Sequence, residues 1–304
     1  MKNRVFIDQG FGIYTIDTGF KRPGLVASHL IIEGGHAAFV DVGVTTKATV
    51  LLEALEAMRI SPGSVDFIMV THVHLDHAGA AGVLMQKFPN ARLVVHPSGA
   101  RHMIDPTKLI AGATAVYGEE EMNRTFGEIL PLSSDRVIEA ADLFKLSFRG
   151  REFLFLDTPG HARHHYCMVD QCSESIFSGD TFGLSYREFD TPSGPYIFPT
   201  TTPIQFDPEA LQHSIRRISE HQPKRILLTH FGCIEYSDNL AALLHQHIDR
   251  FVEIANNLKE EGERCQKIID ALTIWLIESL RMHGCELSEE EIIALMKMDI
   301  ELNA

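Results

Sequence analysis

Residues 71–80 read THVHLDHAGA, which sets His72, His74, Asp76 and His77 almost side by side. Packed this densely, imidazoles and a carboxylate are poorly placed unless they share a cation. Imidazole nitrogen with carboxylate oxygen is a donor set for zinc, iron or manganese. The segment just before, VDFIMV (65–70), is an apolar run of strand length. The segment that follows, HAGAAGVLMQKF (77–88), has the apolar spacing of a helix beginning at the cluster. His72 and His74 therefore stand just past the carboxyl end of a strand, where positions i and i+2 face the same side. Asp76 and His77 fall at the turn into the helix, so all four side chains can converge. Any further ligands must arrive from other segments that end at the same sheet edge.

The rest of the chain supplies such segments. LVASHLIIEGGHAAFVDVG (25–43) is two apolar runs around Gly34-Gly35, a hairpin pattern. TTKATVLLEALEAMRI (45–60) has helical spacing, and ARLVVHP (91–97) reads as a strand. Residues 101–135 are less regular, with one or two helices expected around MIDPTKLIAG and GEEEMNRTFGEIL. Strands return in RVIEA, in FKLSFRGREFLFLDT with a turn at Arg149-Gly150, and in HYCMVDQCSESIFSGD. Residues 183–208 are rich in Pro, Gly and Thr, and a loop of that length is commonly functional. A helix near 208–220 and the strand RILLTH (225–230) follow. From 238 the pattern is helical to residue 304. Ser288 and Glu291 there have capping-box spacing. The expected organisation is a domain over 1–237 and a helical extension over 238–304. The extension would pack on the domain, cover its site or form a homodimer interface.

Four more short segments complete a pattern. FVDVG (39–43) carries Asp41, LDTPGHA (156–162) carries His161, FSGDTF (177–182) carries Asp180 and LLTHFG (227–232) carries His230. In this order, together with THVHLDHAGA, they resemble the motifs of the metallo-β-lactamase-fold superfamily, over roughly residues 12–235. The likeness is to its dinuclear hydrolase branch, of the glyoxalase II and lactonase type. That resemblance implies an α+β fold, a four-layer αββα sandwich of two similar halves. It implies that His72, His74 and His161 hold one metal and that Asp76, His77 and His230 hold a second. Asp180 would bridge them and Asp41 would orient a ligand histidine. Two divalent ions are then the cofactors, zinc first, with iron or manganese also admitted by the ligand set. A hydroxide bridging them would cleave an ester-like bond in a thioester, lactone or phosphodiester, with Asp76 also orienting the nucleophile.

Asp180 stands where antibiotic-degrading members generally have Cys, which argues against a β-lactamase. Lactonases of the superfamily have Tyr three residues past the bridging Asp; here it is Gly183, which weakens the lactonase reading. His29 and His165 are candidates for supporting contacts near the metals. Tyr186 and Arg187, in the long loop, are candidates for holding a substrate oxygen. Cys233 is expected to be buried and inert. Two other classes share the motifs: an oxidoreductase with a single iron that oxidises persulfides, and a regulatory effector that retains the metal fold.

The net charge of −14 and the lack of a basic run speak against nucleic acid or an anionic membrane as partner, and favour a small-molecule substrate. The N-terminal MKNRVFIDQGFGIY lacks the apolar run of a leader peptide, and no apolar stretch has transmembrane length. Five cysteines with no CxxC pair fit a reduced, cytoplasmic protein.

Overall fold

The computed structural model describes residues 6–202, 205–259 and 261–304. Residues 1–5, part of the leader reading, and 203–204 of the long loop lie outside the described residues. Two mixed sheets form the centre. The first holds β1 (Phe6–Gly10), β2 (Ile13–Asp17), β3 (Ala27–Glu33), β4 (His36–Val40), β5 (Val65–Met69), β6 (Arg92–Val95) and β7 (Val137–Glu139), paired in that order. β1 to β4 run antiparallel and β4 to β7 parallel. The second holds β8 (Lys145–Phe148), β9 (Arg151–Asp157), β10 (Tyr166–Asp170), β11 (Ser175–Gly179), β12 (Arg225–Leu228) and β13 (Gly232–Glu235). Here only β11 and β12 are parallel.

Alternation of side chains along the strands divides the apolar residues into layers. Ile13, Ile31, Val40, Met69, Phe153, Phe155, Phe177 and Leu227 form one core with residues of both sheets. On the outer face of the first sheet, Leu30, Phe39 and Ile68 pack with Leu51 and Leu55 of α1 (Ala48–Ala57). The cluster meets α2 (Leu75–Ala78) and α3 (Ala81–Lys87). These are two helices where the spacing predicts one. Ala80 N–H bonds to Gly43 O instead of continuing the helical ladder, so the chain breaks there. Next come α4 (Pro97–Ile104), α5 (Thr107–Tyr117) and α6 (Glu119–Glu121), more helix than the sequence suggests, divided at Asp105-Pro106 and Gly118. α7 (Pro208–Glu220) and α8 (Asp238–Asn257) cover the second sheet through Leu211, Ile215, Leu244 and Ile248, completing the αββα order. α9 (Arg264–His283) and α10 (Glu289–Asn303) bury Leu272, Leu276, Ile292 and Met296 against the long loop, whose Tyr186, Phe189, Tyr196 and Phe198 are buried. The expected capping box of Ser288 and Glu291 opens α10. No helix among the described residues is long and apolar enough to cross a membrane.

One buried histidine has a consequence for stability. His29 on β3 donates from Nε2 to Leu228 O at 3.0 Å and accepts from Thr15 Oγ1 at 3.2 Å. It contacts no ligand-type residue by hydrogen bond. Burial lowers its pKa from 6.5 to about 4. A lowered imidazole pKa gives stability that is complete above 6.5 and drains as pH falls toward 4. The slope from this group approaches about 1.4 kcal/mol per pH unit within that window. His29→Gln is expected to lose less stability between pH 7 and pH 4.5 than the parent. Urea midpoints at both pH values check it, and equal losses in the two proteins would refute it.

Candidate metal centre

The edge formed by the carboxyl ends of β5, β9, β11 and β12 collects every ligand-type residue named from the sequence. Each arrives through a local backbone device. His74 stands at the N-cap position of α2 in extended conformation, and the first turn that follows carries Asp76 and His77. Gly160, just before His161, has φ +131, and a Cβ there would lie 2.3 Å from Leu211 N. Gly179, just before Asp180, has φ +49, and a Cβ would lie 2.6 Å from both His165 Nε2 and Thr71 Oγ1. Only glycine lets the chain pass these points, so the residues that follow are held in place.

Three overlapping groups of donor atoms result: His72, His74 and His161; His72, His77 and Asp180; and Asp76, His77 and His230. His74 Nδ1 lies 2.8 Å from His72 Nε2 and 3.1 Å from His161 Nε2. His77 Nε2 lies 3.3 Å from His230 Nε2. Asp180 spans the two ends, with Oδ2 3.3 Å from His161 Nε2 and Oδ1 3.3 Å from His77 Nε2. Asp76 Oδ2 lies 3.3 Å from His230 Nε2.

The outward nitrogens are held from behind. His77 Nδ1 donates to Asp41 Oδ2 at 2.8 Å, His161 Nδ1 to Thr200 O at 3.3 Å and His230 Nδ1 to Leu25 O at 3.0 Å. Thr71 Oγ1 donates to Asp41 and stands 3.2 Å from His72 Nδ1. These acceptors fix the tautomers and turn the other nitrogen of each ring inward. His165, a candidate supporting residue, accepts Asp180 N–H at Nε2, 3.1 Å away, and so braces that carboxylate.

Charge follows the same division. Burial, joined by neighbouring imidazoles, holds His72 and His74 well below the ordinary imidazole range, so they present lone pairs. Burial also works against charge on His77 and His230, but Asp180 and Asp76 outweigh it and raise both. Burial resists ionisation of Asp76 and Asp180, yet the imidazoles around them keep both below the usual carboxylate range. Asp180 Oδ1 is buried and accepts no hydrogen bond from the described residues. A buried carboxylate oxygen without a donor is costly. Together with inward-facing lone pairs, it fits a site built for divalent cations.

A cavity of about 320 Å³ opens on this cluster and is walled by His74, Asp76, His161, Asp180 and His230. Tyr186 and Arg187 are absent from its described wall. Tyr186 is fully buried and donates its hydroxyl to Asp299 at 3.0 Å. Asp299 itself lines the cavity, together with Met298 and Leu302 of the same helix, so α10 covers the site. Burial pushes the Asp299 carboxyl up to about 6. The sequence reading passed over Asp299. Its signal is a carboxylate seven residues after Ile292 and three after Met296, on the buried stripe of its helix. Cys233 is half-buried, not fully buried as expected, and its thiol is raised by burial.

The family model of the metallo-beta-lactamase superfamily matches residues 22–230. The chain belongs to that superfamily. A metallo-beta-lactamase fold-containing protein of Sulfurisphaera tokodaii is 28% identical over 211 residues, 67% of this chain and 76% of the relative. A hydroxyacylglutathione hydrolase of Stenotrophomonas maltophilia is 30% identical over 152 residues, 50% of this chain. The match spans 44% of that hydrolase. An N-acyl homoserine lactonase of Agrobacterium fabrum is 27% identical over 36% of this chain and 46% of its own. Among solved structures, a metallo-beta-lactamase family protein from Thermus thermophilus superposes with TM-score 0.65, 22% identity and 83% coverage of each chain. That likeness carries the superfamily's fold.

Proposed function

We propose that this chain is a metal-dependent hydrolase of ester-like bonds, with thioesters as the preferred class. The observation that carries the reading is the pair of ligand groups joined by Asp180, whose buried Oδ1 lacks a hydrogen-bond donor among the described residues. In this reading His72, His74 and His161 hold one divalent ion, Asp76, His77 and His230 a second, and Asp180 both. Bound there, two such ions would supply Lewis acidity and acidify water toward neutral pH. Ligand protons must leave as metal enters, so affinity weakens as the pH is lowered. The reaction adds one water to the acyl carbon and breaks the C–S bond, giving a carboxylate and a thiol. Asp76, ionised and partly exposed to the cavity, orients the attacking water. His77 and His230 are kept in register by Asp41 and Leu25 O.

Two curated relatives support thioesters, the hydroxyacylglutathione hydrolase and an atrochrysone carboxyl ACP thioesterase of Aspergillus fumigatus. The cavity's described wall holds a single lysine, Lys108, and no arginine, which disfavours a phosphodiester. Gly183 has φ +75 and a Cβ there would lie 2.5 Å from Phe198 O, so no tyrosine fits for the lactonase arrangement. The cysteines are all free, in keeping with a cytoplasmic setting.

Metal-loaded protein offered a glutathione thioester, an acyl-homoserine lactone, a phosphodiester and a β-lactam is expected to turn over the thioester best. Chelation should abolish turnover and zinc restore it. Silence on all four compounds would reject the hydrolase. One iron per chain with oxygen uptake on a persulfide would replace it with the oxidoreductase.

A further inference from the structure

α5 reads TKLIAGATAVY, yet none of its side chains is buried. Its apolar residues at 109, 113 and 116 share a helix face, and that face lines the cavity over the metal centre. Val116 is 51% exposed. A helix that turns its apolar stripe to a cavity stabilises whatever hydrocarbon enters it. The same cavity takes Met298 and Leu302 from α10, one helical turn apart, and Leu184 from the long loop. It is continuous with Asp76, Asp180 and His230, so a molecule seated on these apolar groups reaches the ligand cluster.

We propose that this cavity is an acyl-chain site: an unbranched alkyl chain lies along α5 and α10, with its carboxyl end at the metal centre. The cleavage this implies rests on the hydrolase reading; the chain site itself does not. At roughly 30 Å³ per heavy atom, the liquid share of one water, the cavity's 320 Å³ admits about ten heavy atoms. Affinity thus rises from acetyl to medium chains, and carbons beyond the cavity add nothing further. Each methylene buried contributes a factor of roughly four in affinity or kcat/KM.

The test uses the full metal-loaded chain and two readouts. The first is kcat/KM on N-acetylcysteamine thioesters from acetyl to dodecanoyl. The second is calorimetric binding of the corresponding free carboxylates. Both are expected to climb roughly fourfold per methylene and to level off near ten heavy atoms. Ala113→Trp, which fills the cavity from α5, and Leu302→Asp, which charges it from α10, should each flatten both series. Both positions are only partly buried, and a melting curve verifies that the variants fold. Thioester turnover with no dependence on chain length would overturn the chain site and leave the hydrolase intact. Chain-length-dependent binding of carboxylates without turnover would sink the hydrolase and uphold the chain site. Steep series unaffected by both substitutions would put the chain elsewhere and overturn the assignment.

Discussion

Asp180→Asn should lower turnover by about 10²–10³ and reduce bound metal from two ions to one per chain. Its two oxygens face different ends of the cluster, Oδ2 toward His161 and Oδ1 toward His77 and His230. An amide of the same shape keeps one oxygen and turns an NH₂ toward the other end, where a donor faces a cation. Losing one of two ions removes several kcal/mol of transition-state charge stabilisation, which is the predicted rate factor. Folding should survive, because the amide is easier to bury than the carboxylate and the backbone bond from Asp180 N–H to His165 is unchanged. Elemental analysis with a thioester assay reads both effects. An Asn variant that retains two ions and parental turnover would refute Asp180 as the bridge.

The centre was legible because its parts are local. HxHxDH needs only a strand end and the first turn of a helix, and Gly160 and Gly179 stand where a side chain would strike Leu211, or His165 and Thr71. Such requirements are written into a few consecutive residues. The role of Asp41 followed from the superfamily pattern, and the structure gives its physical content, a 2.8 Å bond to His77. The cavity wall was not legible, because it depends on where distant segments meet. α10 lies more than a hundred residues from Asp180, and Asp299 acquires its surroundings only when that helix docks on Tyr186. β13 was missed because four residues, one a glycine at φ +81, leave too little periodicity; pairing with β12 makes it a strand. The helix expected over 77–88 failed at Ala80 through a single tertiary hydrogen bond to Gly43 O. Helical spacing in α5 was visible as sequence, but whether its face meets a sheet or a cavity is decided by the fold.

Asp41→Ala should cost both stability and metal. The carboxylate is wholly buried and accepts Thr71 N–H at 2.8 Å, Thr71 O–H at 2.9 Å, Thr229 O–H at 2.6 Å and His77 Nδ1–H at 2.8 Å. Alanine leaves these donors together in a dry site. Each unsatisfied donor costs about 1–3 kcal/mol, and relaxation among neighbours makes the total less than additive, about 3–5 kcal/mol. Asp41 also sits at φ 50°, a region that aspartate tolerates better than alanine. The melting temperature of the metal-free protein should therefore drop by roughly 6–15 °C. Freed from Asp41, the His77 ring can turn or change tautomer, and metal affinity should weaken about 10–100-fold. Asp41→Asn separates the two effects. It keeps an acceptor for Thr71 and most of the stability, but its NH₂ group meets either His77 or Thr229 and disturbs the ring or its neighbour. If Asp41→Asn melts near the parent yet binds metal tenfold or more weakly, Asp41 positions His77 for the ion. If metal affinity stays at the parental level in both variants, the carboxylate serves the fold alone.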